Sequence, residues 1–463
     1  MSENTYFHNV KEQTPTRFWI NNPTLEQAKQ AIASGAIGCT TNPSYVSKLF
    51  SSEEDYRCVL RAIDLLVPYE DNDSVVASKV QQMMVERLSD LFLPMYKQSG
   101  GTEGLVTIQG DPFTETNTKA IIDEGLENRT IGENVCIKIP VTEWGIEAIS
   151  AMVERNIPTM ATEVMALSQV VSICEAYSKA SKKSKNHPPF YVTHITGILD
   201  DHFKRVIDAN HLKLPPSLVK YAGLSIAKAE YALLKERNYP GIMIGGGARK
   251  LEDFTELVGG DLSITINWKG TAETLIEKNQ EVESRIDENL SETEIQHLIE
   301  QLPDYQRAYS VTGMVESEYY EYGGVELFRT SFQKGWNELL ALIRDRRKKS
   351  DTRKKHRGSL SSDPRMSRAK GIDRVTLTYD DDNMMCYFYL QKGSKLEMHT
   401  HVQSQSGIVV KGHILFLKGD GEVLDLKAGD AYYFASMDPH GSELLEDTEL
   451  IECFAPSRDD YKD

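Results

Sequence analysis

Val135-Cys136-Ile137-Lys138-Ile139-Pro140 places a lysine inside an apolar run rich in β-branched residues. Such a run predicts a buried strand, and side-chain alternation would put Cys136, Lys138 and Pro140 on one face of it. Burial disfavours the ammonium form of lysine, lowers its pKa and leaves a lone pair free to attack a carbonyl. The segment therefore predicts a nucleophilic Lys138. The alternative is a lysine whose head group reaches solvent at the rim of a barrel.

Apolar runs of strand length lie on both sides of this segment and alternate with helical patterns. Eight such runs predict an α/β fold, a (β/α)8 TIM barrel, whose active site forms at the C-terminal ends of the strands. Asn42, Lys138 and Thr162 fall at those ends or just inside them. The predicted strands are Phe18–Asn21, Gly38–Thr41, Leu105–Gln109, Val135–Pro140, Ile157–Thr162, Phe190–His194, Ile242–Gly245 and Ile264–Asn267.

The pattern changes after a basic segment, Arg344 to Arg357, which holds nine Lys or Arg and two Asp. We interpret it as a solvated hinge, the alternative being a tether for nucleic acid or a membrane surface. Beyond it, short runs between turns predict a small antiparallel barrel or jelly roll. The predicted domains are 1–345, a linker at 346–370, and 371–463. The short runs are Val375–Tyr379, Met385–Gln391, Gly407–Lys411, His413–Lys418, Ala431–Phe434 and Leu450–Phe454.

The composition is that of a globular protein, with 40% hydrophobic and 26% charged residues. A net charge of -17 argues against general affinity for nucleic acid. The polar N-terminus shows no signal-peptide core, and no apolar run approaches the ~20 residues that span a bilayer. We therefore expect a cytoplasmic protein that acts on a small molecule, with no nucleic-acid or membrane partner. The oligomeric state is open, and a homo-oligomer is compatible with the sequence.

Several motifs of the first domain resemble the transaldolase family, in the family's order. Gly38-Cys39-Thr40-Thr41-Asn42-Pro43-Ser44 resembles its TTNPS motif, and Val135 to Thr142 resembles its Schiff-base lysine strand. Ile157 to Thr162 is closest to the fructose-6-phosphate-aldolase branch. The resemblance covers roughly residues 15–345. It implies that Lys138 attacks a ketose carbonyl and that the iminium serves as electron sink, so that the barrel needs no cofactor.

The residues that would assist Lys138 depart from the family pattern. Asn21 falls where the family has a catalytic aspartate, and Gln109 where full-length transaldolases have a glutamate, whereas Thr162 matches the hydroxyl that holds the catalytic water. An amide can orient a water but cannot exchange a proton as an acid or base. The substitute acid–base candidates are Glu163, Asp111 and His194, each of which has a structural or supporting role as the alternative.

The substrate-binding end is also altered. Arg249, after Ile244-Gly245-Gly246-Gly247-Ala248, matches a phosphate-binding arginine of the family, while Gly247 replaces its serine and a second arginine is missing. Ile195 replaces a tyrosine of the aldolase branch. The resemblance therefore implies a changed substrate tail, either a differently placed phosphate or another polar sugar. The predicted substrate contacts of the barrel are Asn42, Thr41, Arg249, Gly247 and Thr193.

The second domain carries the spacing of a metal site. His399 and His401 alternate along one predicted strand, so both can reach one ion. Gly393 to His401 with Gln405 resembles the first cupin motif, and His440, eleven residues after a glycine, resembles part of the second. The resemblance implies a divalent transition metal (Zn, Mn, Ni or Fe) held by three imidazoles and one amide oxygen. The predicted metal ligands are His399, His401, Gln405 and His440.

The C-terminal tail is similar to small cupins that open the rings of unsaturated uronates. Glu452 matches their catalytic aspartate, and Phe454 and Arg458 match their substrate-contacting residues. The alternative is a structural ion pair between Arg458 and Glu452. Together the two domains predict a bifunctional carbohydrate enzyme, in which the cupin opens or isomerises a sugar ring and the barrel cleaves or transfers the open chain. The alternatives are a barrel that has diverged to another carbonyl substrate and a non-catalytic sugar sensor.

Overall fold

The computed structural model describes residues 4–352 and 354–462, without the side chains of residues 350–352. The chain divides into two compact units, Met1–Arg344 and Asp345–Asp463. In the described part of the chain, no helix combines the length and the apolar character needed to cross a membrane.

The first unit is built around a closed barrel of eight parallel strands in sequential order. Parallel neighbours require a crossover connection, which the helices between the strands provide. The sequence-based prediction of a (β/α)8 barrel is therefore confirmed. The strands are β1 Arg17–Asn21, β2 Ala36–Thr40, β3 Leu105–Gln109, β4 Val135–Pro140, β5 Thr159–Val164, β6 Phe190–Ile195, β7 Ile242–Gly246 and β8 Ser263–Ile266.

Sixteen α-helices are found in the described residues, and apolar faces of those in the first unit pack on the outside of the barrel. They are α1 Tyr6–Gln13, α2 Leu25–Ala33, α3 Tyr45–Lys48, α4 Glu53–Leu66, α5 Asp73–Gln98, α6 Thr118–Asn128, α7 Glu143–Glu154, α8 Leu167–Ala180, α9 Thr196–Asn210, α10 Pro216–Lys220, α11 Ala222–Glu236, α12 Glu252–Thr255, α13 Glu273–Lys278, α14 Glu292–Gln301, α15 Pro303–Tyr309 and α16 Gly323–Thr352.

The lumen of the barrel is filled in layers, because alternate residues of each strand point inward. The lower layer is apolar and consists of Trp19, Ile37, Leu105, Cys136, Met160, Tyr191 and Ile244. Lys138 follows Cys136 by two residues and therefore lies one layer higher on the same face of β4. The apolar layer closes the barrel below Lys138 and leaves its amine facing the C-terminal end.

A close approach of α7 to β4 fixes the position of the lysine strand. Thr142 caps α7 by accepting a hydrogen bond from the backbone of Gly145 at 3.2 Å. A Cβ on Gly145 would lie 1.9 Å from the carbonyl oxygen of Pro140, so only glycine allows this contact. The motif that follows Lys138 thus serves packing of the helix against the strand.

The second unit consists of two antiparallel sheets with the strand orders β16-β13-β18-β11-β10-β9 and β12-β17-β14-β15. Apolar side chains that include Ile414, Phe416 and Phe434 form its core. The prediction of a small all-β domain is confirmed. Its strands are β9 Met366–Ala369, β10 Ile372–Tyr379, β11 Met384–Leu390, β12 Lys395–His399, β13 Ser404–Lys411, β14 His413–Lys418, β15 Val423–Lys427, β16 Ala431–Phe434, β17 His440–Leu444 and β18 Thr448–Ala455.

Three of the differences from the sequence-based predictions have an identifiable physical reason or affect a predicted site residue. β5 begins at Thr159 and not at Ile157, because Pro158 has no N–H to donate to the ladder. His401 lies two residues beyond the end of β12, so it does not share a strand with His399. Residues 346–370, predicted as a linker, contain the end of α16 and strand β9, because Lys and Arg are good helix formers and β9 is an exposed edge strand without apolar alternation.

Candidate active site and metal centre

Lys138 is the buried amine at the centre of the barrel. Only 5% of its surface is exposed, and its Nζ lies 3.5 Å from the carbonyl oxygen of Thr41. Burial lowers the pKa of Lys138 to about 8, an effect opposed by the Glu163 carboxylate and reinforced by the Lys48 cation. The neutral amine, which nucleophilic attack requires, is therefore far more populated near neutral pH than in an exposed lysine.

A cavity of about 300 Å³ opens above Lys138 at the C-terminal ends of the strands. Its walls come from the strand ends and from the face of α16 that carries Phe328 and Phe332. A cavity of this size suits a small ligand with a few fixed polar contacts. The predicted site residues that line it are Asn21, Asn42, Lys138, Thr193, Gly247 and Arg249.

Asn21 and Asn267 join the first and last strands at the cavity. The Nδ2 of Asn21 donates to the Oδ1 of Asn267 at 2.9 Å, and its Oδ1 accepts from the Thr40 hydroxyl at 3.0 Å. Asn21 therefore contributes a fixed, neutral amide at the place where the family resemblance implies an aspartate. It orients neighbours and exchanges no proton.

Two of the predicted threonines, Thr162 and Thr193, present buried hydroxyls. Neither has a hydrogen-bond partner within residues 4–352 and 354–462. Thr193 lines the cavity, and Thr162 is paired in register with Pro140 of the lysine strand. Thr41 differs, because its hydroxyl donates to the Thr107 carbonyl at 2.6 Å and so ties β2 to β3.

Gln109 lies beside Lys138 in the ladder and holds two carboxyl groups. Its Nε2 donates to Glu163 Oε1 at 3.1 Å and to Glu115 Oε1 at 3.4 Å. Burial raises the pKa of Glu163 to about 7 and the pKa of Glu115 well above its usual value, because a charged carboxylate is poorly solvated there. Of the three substitute acid–base candidates, Glu163 is the one close to Lys138.

The other two candidates have structural partners. Asp111 accepts from the backbone of Phe113 at 2.8 Å and thereby shapes the turn after β3. The Nδ1 of His194 lies 2.8 Å from Glu230 Oε2, and both side chains are fully buried between β6 and α11. Since Glu230 is on α11, outside the barrel, His194 points away from the lumen.

The mouth of the cavity is basic. Arg249 is about half exposed, and its Nε lies 3.6 Å from Asp201 Oδ2. Lys48 and Lys334 line the same cavity from α3 and α16. Three cations and one carboxylate, Glu338, line the cavity, so its mouth has a positive field that favours an anionic ligand.

The three histidines of the second unit converge. Their candidate ligand nitrogens all lie within 4.8 Å of one another, although His401 comes from the loop after β12 and His440 from β17. Each Nδ1 donates to a backbone carbonyl, that of Glu397, Gln403 and Asp438 respectively, at 2.8–2.9 Å. These bonds fix the tautomer and leave every Nε2 lone pair for a metal.

The donor set fits a divalent transition metal. His440 Nε2 is buried without a partner in the described part of the chain. The Oε1 of Gln405 lies 3.1 Å from His401 Nε2, so two lone-pair atoms face each other. A cation bound by both would remove that conflict, and the remaining imidazoles complete a site of three nitrogens and one oxygen.

Glu452 lies behind the amide of Gln405. It accepts from Gln405 Nε2 at 2.5 Å and from the Tyr432 hydroxyl at 2.6 Å. Burial raises the pKa of the Glu452 carboxyl to about 7. Arg458 forms an ion pair with Asp460 at 3.1 Å, and its charge opposes the rise in the pKa of Glu452.

A cavity of about 220 Å³ adjoins this metal site. His399, Gln405 and Glu452 lie on its wall together with apolar side chains. Phe454 and Arg458, predicted as substrate contacts, also line it. Two of the four predicted metal ligands, His399 and Gln405, therefore share one space with the predicted substrate contacts.

Models of known protein families match both units of the chain. A family model for transaldolase/fructose-6-phosphate aldolase matches residues 18–340. The chain belongs to this family. A model for the cupin domain matches residues 386–451, and the second unit is a cupin domain.

The transaldolase of Mycobacterium ulcerans is 28% identical over 212 residues, which are 43% of this chain and 55% of that protein. The transaldolase of Neisseria gonorrhoeae is 23% identical over 224 residues, or 46% of this chain and 62% of that protein. The chain thus spans little more than half the length of these curated relatives.

Two solved cupins are similar to the second unit. An RmlC-like cupin from Shewanella frigidimarina is 25% identical with a TM-score of 0.23, covering 24% of this chain and 98% of that one. KdgF from Halomonas sp. is 28% identical with a TM-score of 0.22, covering 22% of this chain and 97% of that one.

Three residues at or near the two sites escaped the sequence-based interpretation of this transaldolase-family chain. Glu115 lies in the loop after β3. The sequence signal that could have identified it is the pair of carboxylates, Asp111 and Glu115, shortly after that strand. Lys48 lies four residues after the TTNPS-like motif. Arg368 is in β9, inside the predicted linker, and lines the cupin cavity with its guanidinium 4.5 Å from the ring of Tyr461.

Proposed function

We propose that the transaldolase-family barrel forms a Schiff base between Lys138 and the carbonyl of an open-chain ketose, and then cleaves or transfers the sugar chain. The observation that carries the proposal is a buried lysine with a pKa of about 8 on the wall of a polar cavity of about 300 Å³. A neutral amine in a site that excludes most water can attack a carbonyl carbon. Loss of water then gives an iminium.

The iminium is the electron sink for the next step. The C–C bond beyond the neighbouring carbon breaks, its electron pair moves toward the nitrogen, and an aldehyde leaves an enamine on Lys138. Asn21, Asn42 and Thr193 offer amide and hydroxyl groups to the hydroxyls of the sugar. The basic mouth, with Lys48 and Arg249, favours a substrate that carries a phosphate or another anion at its far end.

We propose that the cupin domain opens or isomerises the ring of a sugar. His399, His401, His440 and Gln405 would hold a divalent metal, which supplies Lewis-acid polarisation of a sugar oxygen when bound. The buried Glu452 carboxyl lies on the same cavity wall and is placed to exchange a proton with the sugar. The aromatic and cationic side chains of the cavity would bind the sugar and its acidic group.

The two activities complement each other chemically. A Schiff-base enzyme needs the open-chain carbonyl, whereas sugars rest mostly as rings. A ring-opening domain in the same chain would supply that form. We therefore propose that the protein is a bifunctional carbohydrate enzyme.

The first experiment is borohydride trapping with a panel of ketoses and ketose phosphates, read by peptide mass. The expected result is a reduced adduct on Lys138, and the sugars that give it identify the substrate class. Lys138→Met removes the nucleophile and should abolish the adduct, whereas Lys334→Met, another lysine of the cavity wall, should keep it. No adduct with any sugar, from folded metal-loaded protein, would overturn the proposal for the barrel.

The second experiment tests the coupling. His399→Ala should slow turnover of cyclic sugars and spare the addition of an acyclic donor, dihydroxyacetone, to an acceptor aldehyde. Equal loss on both substrates would contradict the proposed division of labour.

The amides at Asn21 and Gln109 favour one alternative, a barrel that performs Schiff-base chemistry on a different carbonyl compound. Trapping with non-sugar ketones and aldehydes, but not with ketoses, would favour it. A non-catalytic sugar sensor would bind sugars, give no adduct, and retain its biological activity in Lys138→Ala.

A further inference from the structure

The Lys138 site contains two buried carboxyl groups joined by one amide. Both hydrogens of the Gln109 amide are used, one toward Glu163 Oε1 at 3.1 Å and one toward Glu115 Oε1 at 3.4 Å. Glu163 is 0% exposed and Glu115 is 5% exposed. Buried carboxyls with a shared partner behave as a coupled pair and not as two independent acids.

The charges around the pair determine its protonation. Arg329 of α16 faces both carboxyls, Lys138 faces Glu163, and Asp111 adds negative charge beside Glu115. Arg329 and Lys138 favour the charged form of the pair, but burial outweighs them, because a carboxylate with little water around it is poorly solvated. The pair therefore retains a proton near neutral pH and can both accept and release one.

The backbone at Glu163 is strained in a way that serves this contact. Glu163 has a φ of 60°, in the left-handed region, where the β5–β6 register shifts between Ala161 and Val164. Strict alternation would send the side chains of Thr162 and Glu163 to opposite faces of β5. The bulge turns Glu163 toward Gln109 instead. A buried non-glycine residue in this conformation costs about 1 kcal/mol or more, which is typical of functional sites.

There is also space for chemistry beside the pair. A small cavity of about 20 Å³, the size of one water, is lined by Gln109, Glu115 and Lys138. Four oxygens of the cluster have no hydrogen-bond partner among the residues that the structure describes. They are Gln109 Oε1, Glu115 Oε2, Glu163 Oε2 and Thr162 Oγ1. A water in this space would lie between Glu115 and Lys138 and would connect the pair with a group bound to the amine.

We propose that Glu163 and Glu115, joined through Gln109, form the acid–base unit of the Lys138 site. The inference rests on the proposed Schiff-base function. During cleavage the pair takes the hydroxyl proton of the departing carbon as the C–C bond breaks and its electrons move to the iminium nitrogen. It then returns that proton to the enamine carbon, and addition of water to the resulting iminium releases the ketone and restores the amine, so that ketose becomes ketone plus aldehyde with no net change in the protein.

The return step can be measured alone with dihydroxyacetone in D₂O. Its iminium on Lys138 loses a carbon-bound proton to the carboxylate and regains a deuteron, which nuclear magnetic resonance detects. Borohydride trapping of the same mixture measures the adduct. In Glu163→Gln we expect the adduct to persist and deuterium exchange to fall about 100-fold or more. Glu230→Gln removes a buried carboxylate outside the lumen and should change neither measurement once folded.

Exchange unchanged in Glu163→Gln, with the wild-type adduct intact, would overturn the acid–base inference and leave the proposed function standing. No adduct in the wild-type protein would overturn the function itself. Glu115→Gln tests the same pair if Glu163→Gln does not fold. The wild-type protein gives an independent test, because the ratio of exchange to adduct should rise with pH through about 7 and then level off. A ratio independent of pH would also overturn the inference.

Discussion

The Oε1 atom of Gln405 lies 3.1 Å from Nε2 of His401, while the other end of the same amide donates to Glu452. The amide is therefore held in one orientation, with its oxygen at the proposed metal position. Because His401 donates from Nδ1 to a backbone carbonyl, its Nε2 also presents a lone pair there. The two atoms face each other as ligands and not as a donor and an acceptor.

Removal of this oxygen should weaken metal binding. In Gln405→Ala we expect the affinity for Zn²⁺, the probe metal, to fall about tenfold or more, because one ligand is lost and Glu452 loses one of its two donors. Competition with a coloured chelator measures the affinity. Gln403→Ala keeps the backbone carbonyl that anchors His401 and should bind Zn²⁺ like the wild type. Equal affinities for all three proteins would show that Gln405 is not a ligand.

The pH dependence of adduct formation should follow the amine of Lys138. Its pKa is lowered to about 8 mainly by burial, so the initial trapping rate should fall about tenfold per pH unit below 8 and level off above it. The Lys48 cation contributes to the lowering. Lys48→Met should therefore move the midpoint of the profile to higher pH, whereas Lys334→Met should leave it in place. A midpoint near 10 in the wild type would contradict the neutral-amine argument.

The His194–Glu230 pair should matter for stability and not for chemistry. His194→Ala leaves the fully buried Glu230 without the partner 2.8 Å away, and we expect it to cost roughly 3 kcal/mol of unfolding free energy. His194→Asn places an amide donor near the position of Nδ1 and should cost less. Urea denaturation measures both. Trapping at Lys138 should persist in the folded variants, and its loss in a stable variant would mean that His194 acts on the site.

The barrel could be predicted from the sequence because its strands are apolar, short and separated by helical patterns. Lys138 stood out because a charged residue in such a strand requires an explanation. The cupin histidines could be predicted from spacing, although His401 was wrongly assigned to a strand. Both fold predictions are confirmed.

The remaining features depend on long-range geometry that no local pattern encodes. Glu115 reaches Gln109 from a loop, and Glu163 reaches it only through a bulge. Asp111 and Glu163 are both carboxylates near a strand end. Only the direction of each side chain, which the sequence does not give, distinguishes the one that lies close to Lys138. Arg368 was not predicted as a site residue, because its strand β9 is an exposed edge strand and has no apolar alternation.

Gly247 shows why a residue of the family pattern cannot simply be restored in this chain. The resemblance implies a serine here, but Gly247 has a φ of 66° and an added Cβ would lie 2.5 Å from Cγ2 of Ile195. Gly247→Ser should therefore cost roughly 1 kcal/mol for the backbone and about 1–3 kcal/mol for overpacking. Gly270→Ser isolates the backbone cost, because Gly270 has a φ of 74° with no atom near an added Cβ. Adding Ile195→Ala to Gly247→Ser should recover part of the unfolding free energy that Gly247→Ser loses, as measured by urea denaturation, because the clashing methyl group is removed. A double variant whose loss equals the sum of the two single losses would contradict the clash.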